Sequence, residues 1–156
     1  MNIALIADDG KKELMVQFCI AYCGILAKHD LSSTFTTGRL ISEATGLKVR
    51  TYLHSAQGCQ QLDARISYNE IDLVLFFRDP MSNAQYEPDV HAISRLCDMH
   101  NIPIATNSAT AEMLILGLDR LDLQTALRTR RWYNSNNELS ICSRTPSYHC
   151  KCMCKH

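Results

Sequence analysis

Leu73-Val74-Leu75-Phe76-Phe77, closed by Arg78-Asp79-Pro80, is the stretch that decides the fold. Five apolar residues in succession leave no polar face, so a strand made of them must be covered on both sides. Sheets buried on both faces are mostly parallel sheets sandwiched between helices. The rest of the chain fits that frame. Ile3 to Ala7 is a first apolar strand, bounded by Asp8-Asp9-Gly10, and Ile104-Ala105 is another short buried strand.

Between these runs the apolar residues recur at helical spacing. From Lys11, the positions Leu14, Met15, Phe18, Cys19, Tyr22, Ile25 and Leu26 form one amphipathic helix. Thr34-Phe35-Thr36 reads as a short second strand and Arg39 to Ala44 as a helix, with Gly46 at a left-handed cap. Leu47 to Leu53 reads as a strand and Gln60 to Tyr68 as a helix. Pro88 suits the first turn of a helix reaching His100, and Ser108 caps one reaching Leu116. The expected fold is α/β, a doubly wound parallel sheet in a three-layer α/β/α arrangement. One domain is expected over residues 1–135. A Cys-rich extension over 136–156 is expected to be poorly ordered or packed on a partner subunit.

Sixteen basic and sixteen acidic residues in 156 give a formal net charge of zero, so no global field recruits nucleic acid or an anionic membrane. No charged-then-apolar leader precedes Ile3, and a cytoplasmic protein is expected. Of eight cysteines, Cys19, Cys23 and Cys97 fall within apolar helical patterns and read as small core residues. Cys142, Cys150, Cys152 and Cys154 crowd the end of the chain. Their alternating spacing lacks the turned-back pair that structural zinc prefers, so neither a metal nor a cofactor is expected.

In a parallel sheet, ligands bind beyond the carboxyl ends of the strands. The loops there carry Asp8-Asp9-Gly10-Lys11-Lys12, Thr36-Thr37-Gly38, Leu53 to Cys59, Arg78-Asp79-Pro80 and Thr106-Asn107-Ser108. Two threonines and a glycine at a helix start suit a phosphate through hydroxyls and backbone N–H groups. Each loop also has a plainer reading, as a turn, an N-cap or a strand terminator. Convergence of Asp9, Lys12, Thr36, Thr37, Asp79 and Asp89 on one end of the sheet favours a site for a phosphorylated compound.

Phe76-Phe77-Arg78-Asp79-Pro80, Glu87-Pro88-Asp89-Val90 and Asn101-Ile102-Pro103-Ile104-Ala105-Thr106-Asn107 together resemble the methylglyoxal synthase family, over roughly residues 2 to 116. The resemblance implies conversion of dihydroxyacetone phosphate to methylglyoxal and phosphate, without a metal, in homo-oligomers that are typically hexamers. It also implies catalytic carboxylates at Asp9, Asp79 and Asp89. The phosphate-binding positions it implies are Lys12, Thr34, Thr36, Thr37, Gly38, Ser55 and Gly58. A C-terminal arginine, from among Arg128, Arg130 and Arg131, would reach a neighbouring subunit's site.

The departures fall on the chemistry. The family's Gly-Gly-Asp-Gln-Gln, which carries the proton-abstracting carboxylate, reads Gln57-Gly58-Cys59-Gln60-Gln61. The family histidine before the Pro-Asp pair becomes Tyr86, the histidine of the first loop becomes Asp8, and Phe35 stands at a glycine. The Ser-Gly-Pro turn becomes His54-Ser55-Ala56. Losing a positioned acid–base group costs on the order of 10²–10⁴ in rate. The expectation is therefore a binder of a phosphorylated small molecule or nucleotide-like signal, without turnover. The alternative is an active methylglyoxal synthase whose carboxylate comes from Asp9, Asp79 or Asp63.

Overall fold

The apolar run Leu73–Phe77 is the fourth of five parallel strands among the described residues of this chain, whose structure is a computed structural model. It describes residues 1–52, 56–81, 90–120, 125 and 127–129, with backbone alone at 56–59. The strands are β1 (Asn2–Ala7), β2 (Asp30–Thr34), β3 (Val49–Tyr52), β4 (Leu73–Phe77) and β5 (Ile104–Ala105). The helices are α1 (Lys12–Ala21), α2 (Cys23–Leu26), α3 (Phe35–Thr45), α4 (Ala56–Ser67), α5 (Val90–Met99) and α6 (Ser108–Asp119). The strand order is β3-β2-β1-β4-β5, which puts the apolar β1 and β4 in the middle. The domain boundary at residue 135 and the Cys-rich extension lie outside the described residues.

Alternation along β4 shows why it had to be wholly apolar. Leu73, Leu75 and Phe77 enter a core with Met15, Phe18 and Cys19 of α1, Ile41 of α3, and Ala111 and Ile115 of α6. Val74 and Phe76 point the other way, into a core with Leu62 and Ile66 of α4 and Ile93 and Cys97 of α5. No β4 side chain is more than 1% exposed, as expected of a strand covered on both faces. Phe18 meets Phe77 edge-on, with ring centroids 5.3 Å apart, a favoured aromatic geometry.

The local elements differ from the sequence expectation in several places, among them α4, which begins at Ala56 rather than Gln60, and α6, which runs to Asp119 rather than Leu116. The second strand is Asp30–Thr34 rather than Thr34-Phe35-Thr36, and Phe35 already opens α3. Ser32 and Ser33 hid this strand, since both are polar yet buried. Their hydroxyls donate to the Ile3 carbonyl at 3.4 Å and the Leu5 carbonyl at 2.6 Å, which removes the cost of burying them. The long helix expected to reach Leu26 breaks at Tyr22, whose φ of −108° and ψ of 21° leave the helical region. The third strand, Val49–Tyr52, is shorter than Leu47 to Leu53. Asn107, not Ser108, caps α6, its Oδ1 accepting the Thr110 N–H at 2.9 Å. Gly46 does take the left-handed cap after α3, at φ 71°.

Candidate active site

Crossing from β3 to β4 reverses the direction in which strands are added, and β1 and β4 flank that switch point. In an open parallel sheet, the crevice beyond such a pair is the natural ligand site. Ala7 pairs with Phe77, so the chain leaves both strands at the same height. The next residues are Asp8-Asp9-Gly10 on one side and Arg78-Asp79-Pro80 on the other.

These two loops are tied together. The Asp8 N–H donates to the Phe77 carbonyl at 3.1 Å, extending the ladder by one residue. The Asp79 N–H donates to Asp8 Oδ2 at 2.7 Å. One oxygen of the Asp79 carboxylate, Oδ1, accepts the Met81 N–H at 3.2 Å. The other, Oδ2, lies so close to Gly10 that a Cβ there would come within 2.6 Å of it. Asp79 is half-buried, whereas Asp9, in the 3₁₀ turn Asp9–Lys11, is exposed. Lys12, in the first turn of α1, is largely covered and pairs with the Asp9 carboxylate.

The adjacent strand brings the second group. β2 runs beside β1 in parallel, with Leu5 opposite Ser33, so Thr34 ends at the same edge of the sheet. Thr34 is extended, at φ −63° and ψ 154°, and precedes the 11-residue α3 without capping it through its side chain. Its hydroxyl instead donates to Thr37 Oγ1 at 3.3 Å. Thr37 is buried, Thr36 is exposed, and Phe35 is half-buried. Gly38 is held by packing, because a Cβ would come within 2.6 Å of Thr51 Cγ2. The first turn of α3 therefore presents the N–H groups and positive end of a helix at this edge, the arrangement that suits an anion.

The carboxyl end of the sheet thus gathers Asp9, Lys12, Thr34, Thr36, Thr37, Gly38 and Asp79. Gly58 and Cys59 fall in the first turns of α4, where the backbone alone is described. Ser55, Tyr86 and Asp89 lie outside the described residues, as do Arg130 and Arg131, while Arg128 is exposed. Two residues that sequence reading passed over matter here. Asp8, read only as a lost histidine, is 4% exposed and carries the link to Asp79. Gly10 supplies the space for its carboxylate. A three-residue turn gives no sign of either role, because both depend on a loop about 70 residues further along.

Other features lie elsewhere. A groove of about 980 Å³ sits at the opposite, amino-terminal end of β2 and β3, lined among others by His29, Asp30, Lys48 and Arg50. It is remote from the carboxylates. Burial pushes the Cys19 thiol up to about 12, in keeping with a core residue rather than a nucleophile. Among the described residues, no group of three or more His, Cys, Asp or Glu could hold a metal ion. Nor is any helix among them long and apolar enough to cross a membrane.

Comparison with known proteins gives one consistent result. Residues 15–106 match the family model described as the MGS-like domain. The chain is 63% identical over 124 residues to a methylglyoxal synthase of Caldicellulosiruptor saccharolyticus, covering 79% of this chain and 88% of that protein. It is 52% identical over 125 residues to a methylglyoxal synthase of Oceanobacillus iheyensis, covering 80% and 89%. The crystal structure of a methylglyoxal synthase from Elizabethkingia anophelis NUHP1 superposes with a TM-score of 0.70 at 42% identity, covering 73% of this chain and 76% of that one.

Proposed function

This chain belongs to the MGS-like domain family, and we propose that it acts there as a methylglyoxal synthase, a lyase that releases phosphate from dihydroxyacetone phosphate. The observation that carries the reading is the tethered pair of loops at the switch point. A half-buried carboxylate, Asp79, stands there at the same carboxyl end of the sheet as a helix start and a lysine suited to phosphate. The names of relatives at 52–63% identity move the weight from a silent binder to this enzyme.

The chemistry needs three things from the protein. The phosphate is held by the N–H groups and hydroxyls of Thr36 and Thr37 and by Lys12, which exchanges its contact with Asp9 for the ligand. Asp79 removes a proton from the hydroxymethyl carbon beside the ketone, and the electron pair passes to the ketone oxygen, which takes up a proton to give the enediol. The enediol then expels phosphate, which leaves with the electrons of its carbon–oxygen bond. The remaining three-carbon enol returns a proton to carbon and becomes methylglyoxal. Asp9 and Asp89 supply further carboxylates for the proton movements. The active protein is a homo-oligomer, a hexamer, in which an arginine of the 128–131 stretch completes a neighbour's site.

Cys59 favours a second reading. A thiol stands where the family carries its carboxylate base, and a thiol beside an anionic substrate is a poor base, so the protein would bind the phosphorylated ligand without converting it. Incubation of the purified chain with dihydroxyacetone phosphate, followed by phosphorus NMR, separates the two. Turnover gives inorganic phosphate and methylglyoxal in equal amounts, whereas binding alone shifts the substrate signal and yields no product.

A further inference from the structure

Asp8 is buried between the two loops at the switch point, yet the proposed chemistry gives it no step. Its backbone is extended, at φ −63° and ψ 158°, continuing β1 for one residue. Three of its polar groups are engaged with the surrounding loops. Its N–H donates to the Phe77 carbonyl at 3.1 Å, and its carbonyl accepts the Lys11 N–H at 2.8 Å. Its Oδ2 accepts the Asp79 N–H at 2.7 Å. Beyond Phe77 the strand-to-strand ladder has run out, because β1 ends at Ala7. On the far side, the Arg78 N–H still donates to the Thr106 carbonyl at 3.4 Å. The Asp8 carboxylate therefore takes the place of a missing backbone acceptor for the Asp79 amide, the second past β4. A charged acceptor makes such a bond shorter and stronger than a neutral one.

We infer that Asp8 is a positioning residue that fixes the Asp79 carboxylate over the crevice, with Gly10 as the other wall of the seat. Asp8 holds the Asp79 backbone at 2.7 Å. The Met81 N–H holds Oδ1 at 3.2 Å. The bare face of Gly10 leaves room for Oδ2, where a methyl would stand within 2.6 Å. Proton abstraction demands placement at hydrogen-bond distance, so a freed Asp79 loop loses rate and not substrate affinity. The inference rests on Asp79 as the reacting carboxylate, but the tether itself is read without turnover.

The test compares Asp8→Ala, Asp8→Asn and Gly10→Ala in the full chain by two readouts. Amide hydrogen exchange by NMR reports on Asp79 and Phe76, and steady-state kinetics with dihydroxyacetone phosphate give kcat and KM. In Asp8→Ala the Asp79 amide exchanges at least ~10-fold faster while Phe76 stays protected, since the central ladder is untouched. Its kcat falls at least ~10-fold with KM within about threefold, the pattern of a lost transition-state placement. Asn keeps an oxygen at the same reach, so Asp8→Asn restores both readouts to within about threefold. Gly10→Ala keeps the Asp79 amide protected yet lowers kcat by a similar factor, because only the carboxylate is displaced. Asp8→Thr, whose hydroxyl ends a bond short, replaces the Ala variant should that one not fold. Unchanged Asp79 exchange in the Ala or Thr variant overturns the inference, and so does lost protection with unchanged kcat. If the wild type releases no phosphate, the proposed function fails and the exchange result alone decides for or against the tether.

Discussion

Lys12 and Asp9 show how a residue type can be legible while its state is not. The family resemblance implied a phosphate-binding lysine at Lys12, and the structure places Lys12 in the first turn of α1, at the carboxyl edge of the sheet. It also shows the lysine paired with Asp9, so a ligand must compete for it. Removing it should weaken a phosphate-bearing ligand by about 1.5–3 kcal/mol, the range for a hydrogen bond to a charged group, with the Asp9 contact favouring the lower end. Calorimetry of Lys12→Ala with inorganic phosphate measures this, and equal affinity in the two proteins would move the anion site elsewhere. Asp8 and Gly10 were illegible for a different reason. A substituted histidine and a turn glycine carry no local pattern, and their meaning comes from Asp79 across the sheet.

At the scale of the element, apolar continuity gave β1 and β4 their places, because only a central strand can be apolar on both faces. β2 escaped the same logic. Ser32 and Ser33 look like loop residues until their hydroxyls are seen to find carbonyls on β1. The break at Tyr22 was equally hidden, since its neighbours keep helical spacing on either side of it. α3 carries the clearest mechanical constraint. Its Gly38 lies against Thr51 Cγ2, Ser33 Cβ and Val49 Cγ1, and a methyl added there would stand 2.6, 3.2 and 3.3 Å from them. Gly38→Ala should push the first turn of α3 off β2 and β3 and cost about 1–3 kcal/mol, as overpacking does. Chemical denaturation would record the loss as a lower midpoint. An unchanged midpoint would show that α3 is free to shift, and the N–H groups of its first turn with it.

For the whole molecule, the two ends of the sheet have different electrostatic characters. At the amino-terminal end, His29 is held below its ordinary value of 6.5, chiefly by burial, with the chain's own N-terminus and Lys28 adding to it. The unfolded chain therefore takes up a proton near pH 6.5 that the folded chain refuses until lower pH. Stability should fall as pH drops below that value and level off beneath the folded one. His29→Gln should flatten this slope in thermal melts at a series of pH values, and an identical slope would assign it to other groups. The carboxyl-terminal end is where the proposed function would be decided. The family and the fold were readable from three motifs, but sequence could not weigh Cys59 against the carboxylates gathered at the switch point, because catalysis depends on placement rather than on identity alone. Phosphate release from dihydroxyacetone phosphate, measured side by side for the wild type, Cys59→Asp and Asp79→Asn, weighs them directly. Turnover by the wild type is expected, with little change in Cys59→Asp and a fall of about 10²–10⁴ in Asp79→Asn. No phosphate release by the wild type, with activity appearing in Cys59→Asp, would make Asp79 the wrong carboxylate and this chain a binder that has lost its base.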